Sequence, residues 1–192
     1  MASYKLTITV PDPVVGKLND GQYQLCFARG VSSSGGSTAM TVVAHCETAG
    51  DTIIITWQNK YQMTASKSSF DAGVRDIDFH QAYHLNENWT SEIISGDNCP
   101  DASFQFKNDA EASCVINQFI NGKSVGIFIS PTGTLLPGTD TLTPVNIVKV
   151  WWQQNITTGT MISSDQTNAQ IIDYTGITEQ AVSYDGTKWT LG

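Results

Sequence analysis

Apolar and polar residues alternate along most of this chain, and a period of two restricts such a chain to half-buried β-strands. Leu6, Ile8 and Val10 alternate with Lys5, Thr7 and Thr9, and Tyr23, Leu25 and Phe27 with Gln22, Gln24 and Cys26. In the longest run, Ile53, Ile55, Trp57, Tyr61 and Met63 share one face while Thr52, Thr56, Gln58, Lys60, Gln62 and Thr64 share the other. Asn59 interrupts the apolar stripe, which predicts a bulge or bend there and two strands' worth of chain. Further strands are expected at residues 41–47, 75–85, 103–107, 113–119, 125–129, 145–153, 160–163, 169–174 and 181–184. Asp185-Gly186 joins the last of these to a closing segment at 188–191, and Asn121-Gly122 makes a similar tight turn. Pro11 and Pro13 end the first strand, and the Ser/Gly-rich stretch 31–37 has the composition of a mobile loop. Helical periodicity is weak throughout, and residues 108–112 offer one short helical turn at most. The expected fold is all-β, an antiparallel two-sheet β-sandwich with Greek-key connections, with a partly open β-barrel as the alternative.

At 192 residues the chain holds one core, so residues 1–192 are read as a single domain. About a fifth of the residues are Ser or Thr, which take the outward half of each strand. The formal charge of −8 argues against nucleic acid, whose phosphates need Lys and Arg to displace counterions. No apolar run reaches the roughly 18 residues of a membrane span, and the first residues lack a signal-peptide core, so a cytoplasmic protein is expected. Cys26, Cys46, Cys99 and Cys114 include no close pair of the kind structural zinc recruits, which favours reduced thiols.

Two constellations could carry chemistry. In residues 75–85, read as one strand, Asp76, Asp78, His80 and His84 line up opposite Ile77, Phe79, Tyr83 and Leu85. Asp78 and His80, two residues apart, stand about 7 Å from each other along such a strand, a spacing that allows one divalent metal to be shared. His84 is the third candidate ligand, brought in by a bend. A zinc peptidase is rejected, because Gln81 stands where its helix carries Glu. The second constellation is aromatic. Trp151 and Trp152 are consecutive in a strand, so one enters the core and the other faces out or meets a second layer. An outward Trp beside Gln153 and Asn155 suits a sugar or flat ligand, with Trp89 as a second wall. Trp57 is read as a core anchor. No nucleophile elbow, phosphate loop or dinucleotide fingerprint is present, so binding is favoured over catalysis.

Tyr4-Lys5-Leu6-Thr7-Ile8-Thr9-Val10-Pro11 and Gly21-Gln22-Tyr23-Gln24-Leu25-Cys26-Phe27-Ala28 resemble small β-proteins of mushroom fruiting bodies. The resemblance continues in Ile55-Thr56-Trp57-Gln58-Asn59-Lys60-Tyr61-Gln62, in residues 142–151 and in Thr158-Gly159-Thr160-Met161-Ile162. The coloured members of this group, of the pink oyster-mushroom chromoprotein type, are the relation it suggests. It implies a β-sandwich holding an aromatic pigment and a metal, and it assigns no residue. The leading expectation is therefore a non-catalytic, lectin-like or chromoprotein-like binder of a small molecule, either a pigment or a glycan. A metal-binding protein or metalloenzyme centred on Asp78 and His80 is the alternative, and a membrane-acting defence toxin the third reading. Self-association into a homo-oligomer is compatible with each.

Overall fold

The computed structural model describes residues 2–34, 36–68, 70–130, 135–163 and 166–192. The chain begins with β1 (Ser3–Thr9), helix α1 (Asp12–Asp20), β2 (Tyr23–Ser33), β3 (Thr38–Ala39), β4 (His45–Thr48) and the long β5 (Thr52–Lys67). It continues through β6 (Phe70–Asp71), β7 (Arg75–Ile77), β8 (Gln81–Leu85), β9 (Ser91–Ser95), β10 (Phe104–Asn108) and β11 (Ser113–Ile120). After β12 (Lys123–Ile129) and β13 (Gly138–Gln154) come β14 (Gln170–Asp173), β15 (Glu179–Tyr184) and β16 (Trp189–Leu191).

These strands form two sheets, so the all-β sandwich stands, and neither sheet closes into a barrel. One runs β12-β11-β5-β1-β15-β16, with β6 and β7 also on β5; the other runs β3-β2-β13-β10-β8-β9, with β14 on β13 and β4 on β2. The expectation of purely antiparallel sheets is corrected. β1 pairs in parallel with β15, and β8 in parallel with β10, so both sheets are mixed. Alternation along a strand fixes which face is buried but says nothing of the direction of its neighbour.

Alternation sets the core as expected: Tyr4, Leu6 and Ile8 of β1 and Ile53, Ile55 and Trp57 of β5 are buried. The bend at Asn59 is present. Gln118 of β11 faces Tyr61 while Phe119 faces Gln58, leaving Asn59 and Lys60 as extra residues on β5. The Asn59 amide donates to the Ala2 carbonyl, and its side chain meets the Tyr4 and Tyr61 hydroxyls. Beyond this bulge β5 leaves β1 and takes up β7 and β6, so it serves as two strands in succession.

Four local readings change. Residues 160–163, expected as a strand, contribute only the isolated bridge of Met161 with Val42. The segment bounded by Pro11 and Gly21 is helix α1, with Pro13 in its first turn, where the missing amide hydrogen is not needed. Leu18 is its buried anchor. The expected loop at 31–37 is partly strand: β2 runs to Ser33, and Ser34 accepts from the Thr141 amide and donates to Asp140, while Gly35 lies outside the described residues. Residues 75–85 divide into β7 of one sheet and β8 of the other, because His80 adopts a left-handed backbone with φ of 67°. Gln81, the polar member of the expected apolar stripe, ties this corner by accepting from the Asp78 amide.

Aromatics centre the core. Trp57 stacks on Tyr4 at 5.6 Å, meets Tyr174 edge-on at 4.9 Å and touches Phe27 at 5.3 Å. Arg29 of β2 is buried against the same ring, its guanidinium 5.4 Å from the Trp57 centroid. Its Nε donates to Gln118 Oε1 at 3.0 Å, and Nη1 meets no acceptor among the described residues. The described buried polar residues include Arg29 and Lys149 but no Asp or Glu, so Arg29 lies in the core without a buried carboxylate. Among the described residues no helix is long and apolar enough to cross a membrane.

Candidate functional site

The consecutive Trp residues of β13 divide as strand geometry requires. Trp151 lies on the outer face in a small cluster with Cys26, Ala28, Val43 and Ile156, so a second layer covers it. Its indole N–H donates to Gln153 Oε1 at 2.8 Å. Gln153 is thus committed to Trp151, and Asn155 is exposed in the following turn with φ of 52°. Trp152 points the other way, toward the inter-sheet space, and packs on the main core.

Trp152 reaches across the end of the sandwich to the β15–β16 hairpin. It stacks on Trp189 with centroids 6.2 Å apart and planes 7° from parallel, and it meets Tyr184 at 6.0 Å. Tyr184 and Trp189 are register partners in the hairpin and pack at 4.8 Å. Asp185 shapes the turn between them by accepting from the Thr187 and Lys188 amides and the Thr187 hydroxyl. Those donors hold its carboxyl down at about 2. From the preceding loop, Asn168 ties the hairpin: its carbonyl accepts from the Trp189 indole at 2.9 Å. Its side-chain amide donates to the Tyr184 hydroxyl and the Thr187 carbonyl. Both amide hydrogens are then committed, and Oδ1 is the polar atom Asn168 has left to offer.

Trp152, Thr167, Asn168, Tyr184 and Gly186 form one wall of a cleft of about 410 Å³, closed on the other side by Val14, Lys17 and Leu18 of α1 and by Tyr23 of β2. Tyr23 is 38% exposed, so an aromatic face stands open to solvent. The Trp152 indole N–H is buried and meets no acceptor among the described residues. Burial, opposed by the Asn168 hydrogen bond, raises the Tyr184 phenol above its ordinary value and keeps it neutral. Lys17 supplies the one charged group of the lining, and His, Cys, Asp and Glu are absent from its described residues. An aromatic cleft with an amide oxygen, phenols and one ammonium can stack and orient a flat molecule.

The remaining residues singled out in the sequence lie elsewhere. Trp89 sits in the β8–β9 turn with φ of 64° and lines a separate apolar hollow with Lys67, Ser68 and Phe70. The expected metal-ligand stripe does not form. His80 turns to the Cys99 carbonyl and to Asp101, at 3.2 and 3.3 Å. His84 lies between Asp109, 2.7 Å from its Nε2, and Glu92, 3.4 Å from its Nδ1. Asp78 stays at the corner held by Gln81. The left-handed turn at His80 separates the three, and among the described residues no group of three His, Cys, Asp or Glu is disposed to hold a metal ion.

Of the expected ligand-binding residues, Trp152 alone lines the cleft. Tyr23, Asn168 and Tyr184 were missed because three separate segments bring them together, with Trp189 packed behind on Trp152 and Tyr184. One signal was readable: Asp185-Gly186 as a two-residue turn places Tyr184 opposite Trp189. Against known proteins, no family model, no characterised sequence and no solved structure matches this chain.

Proposed function

We propose that this protein is a non-catalytic binder of a small flat-faced molecule, an aromatic pigment or a sugar ring, held in the cleft beside Trp152. The observation that carries this reading is the convergence of Trp152, Tyr184 and Tyr23 around an open cleft whose lining has one charge. Aromatic faces grip a planar ring or the apolar face of a sugar, while Asn168 Oδ1 and Lys17 fix its orientation. The likeness to small β-proteins of mushroom fruiting bodies, with the coloured ones as its suggested relation, belongs to the same reading. So does a cytoplasmic setting, in keeping with four unbridged cysteines.

Intrinsic Trp fluorescence should shift saturably when the protein is titrated with a panel of sugars or of planar aromatic compounds, and the responding panel identifies the ligand class. Tyr23→Ala and Asn168→Ala should each weaken that binding about tenfold, the equivalent of roughly 1.4 kcal/mol for one lost stacking or orienting contact. An absorption spectrum of protein isolated from its source should show a pigment if the aromatic panel responds. A colourless preparation that answers neither panel would refute the reading, as would binding indifferent to both substitutions.

A further inference from the structure

Cys26 of β2 and Cys46 of β4 stand directly opposite each other across an antiparallel pair. Directly opposed residues point to the same side of a sheet, and both belong to the small outer cluster around Trp151. The Phe27 carbonyl accepts from the Ala44 amide at 2.8 Å, so the backbone groups of Phe27 face β4. Successive strand residues turn their backbone groups to opposite sides, and those of Cys26 therefore face β13. Cys26 and Cys46 are then a non-hydrogen-bonded pair, in which the Cα atoms lie about 4.5 Å apart and the side chains come closest. That separation falls within the span a disulfide bridges, roughly 4.4–6.8 Å between Cα atoms.

Both thiols are free, and their present contacts are weak. Cys26 Sγ is 3.7 Å from the Gln24 carbonyl, and Cys46 Sγ is 3.4 Å from Thr158 Oγ1 and 4.0 Å from the Ile156 carbonyl. At the spacing of such a pair, closure asks for a side-chain rotation at each residue.

We propose that Cys26 and Cys46 form a redox pair that closes into a cross-strand disulfide, with a low-molecular-weight disulfide as oxidant. Cys46 is partly exposed, Cys26 fully buried, and this sets the order of events. The Cys46 thiolate attacks one sulfur of the oxidant; the oxidant's S–S bond breaks, and one small thiolate leaves. The Cys26 thiolate then attacks Cys46 Sγ in the mixed disulfide, forming the Cys26–Cys46 bond and expelling the second small thiolate. Two electrons pass from protein to oxidant, and the two thiol protons end on the departing thiols or in solvent. Bridging draws Cys46 away from Thr158 and Ile156, while the backbone bonds between Val43 and residues 159–160 remain to hold that cover over Trp151.

Burial, and secondarily the Cys46 thiolate, pushes the Cys26 thiol up to about 12, so the second step waits on a scarce thiolate. Closure should therefore accelerate about tenfold per pH unit at pH values well below that point.

The test incubates the full folded chain with oxidised glutathione, quenches with N-ethylmaleimide and maps the cysteine peptides by mass spectrometry. The expected product is a Cys26–Cys46 linked pair, lacking two hydrogens and formed in a monomer with unchanged circular dichroism. Cys26→Ser should stop at a stable glutathione adduct on Cys46. Glutathionylation of partly exposed Cys99 serves as the internal control that oxidant was delivered. The proposal is overturned if both thiols stay free while Cys99 is modified, if wild-type protein retains the Cys46 adduct, or if Cys46 links instead to Cys99 or Cys114. The wild-type peptide map decides the matter even if the variant fails to fold.

Discussion

Arg29 provides a sharp test of how this core is balanced. The guanidinium is 1% exposed and rests on Trp57, with hydrogen bonds to Gln118 and to the Tyr61 hydroxyl and with Nη1 unpartnered among the described residues. Taking such a charge out of water costs several kcal/mol after relaxation. Against that stand charged hydrogen bonds of roughly 1.5–3 kcal/mol each and a desolvated cation–π contact of about 2 kcal/mol. The terms nearly cancel, so the charge itself should add little net stability, while the volume of the side chain matters. Arg29→Met keeps much of that volume and removes the desolvation cost, but it strips Gln118 Oε1 of its donor. The expected change is within about 1.5 kcal/mol of wild type in either direction. Arg29→Met with Gln118→Leu removes the stranded acceptor as well, but it also takes the donor from the Gln58 carbonyl and the Tyr61 hydroxyl, so it should stay within about 1 kcal/mol of the single variant. Arg29→Ala opens a cavity beside Trp57 and should lose about 3–5 kcal/mol, as large core truncations do. Urea unfolding followed by Trp fluorescence, with constant m values, measures all three. If Arg29→Met costs as much as Arg29→Ala, the charge is a net stabiliser and the reasoning fails.

Two further outcomes follow from local geometry. The Asp185 carboxyl is held at about 2, well below its unfolded value of about 3.9, so its support for the β15–β16 turn is present above pH 4 and is lost as pH falls through 2. Asp185→Asn keeps an acceptor oxygen but does not titrate, and the acid-induced change in Trp189 fluorescence between those pH values should shrink; an undiminished change would refute the assignment. At Gly30, an added Cβ would come within 2.5 Å of Val145 Cγ2 and 2.9 Å of Thr38 Cγ2. Gly30→Ala should therefore destabilise the protein by about 1–3 kcal/mol through overpacking, and an unchanged melting temperature would show that β3 and β13 yield more easily than their packing implies.

Much of the strand content was legible because alternation is a local property. Leu6 and Ile8, Ile53 and Ile55, and the opposed Trp151 and Trp152 all point where the period of two directs them. The bulge at Asn59 was legible too, since one polar residue in an apolar stripe has to be accommodated somewhere. What alternation could not show is pairing. Nothing in residues 3–9 marks their neighbour as residues 179–184, running in the same direction. The helix was hidden because proline both ends a strand and opens a helix, and Pro11 and Pro13 do both within three residues. The metal stripe dissolved at a single left-handed residue, His80, with no glycine or asparagine to announce it. The cleft was half visible. Trp152 stood out by its position in β13, but its partners reach it only through the packing of the two sheets.

The parallel pairing of β1 with β15 also bears on how the protein comes to exist. Lys5 lies beside Glu179 and Thr9 beside Ser183, a closure that spans nearly the whole chain and is entropically slow. On the ribosome, β1 can dock on β5 early, but its other edge stays open until β15 emerges. During that interval an unpaired edge with buried-type residues Leu6 and Ile8 is exposed to neighbouring chains, a window in which chaperones or slow translation would govern yield. The same late event brings in Tyr184 and Trp189 and so finishes the aromatic cleft. Ligand capture would then distinguish completed molecules from those still folding.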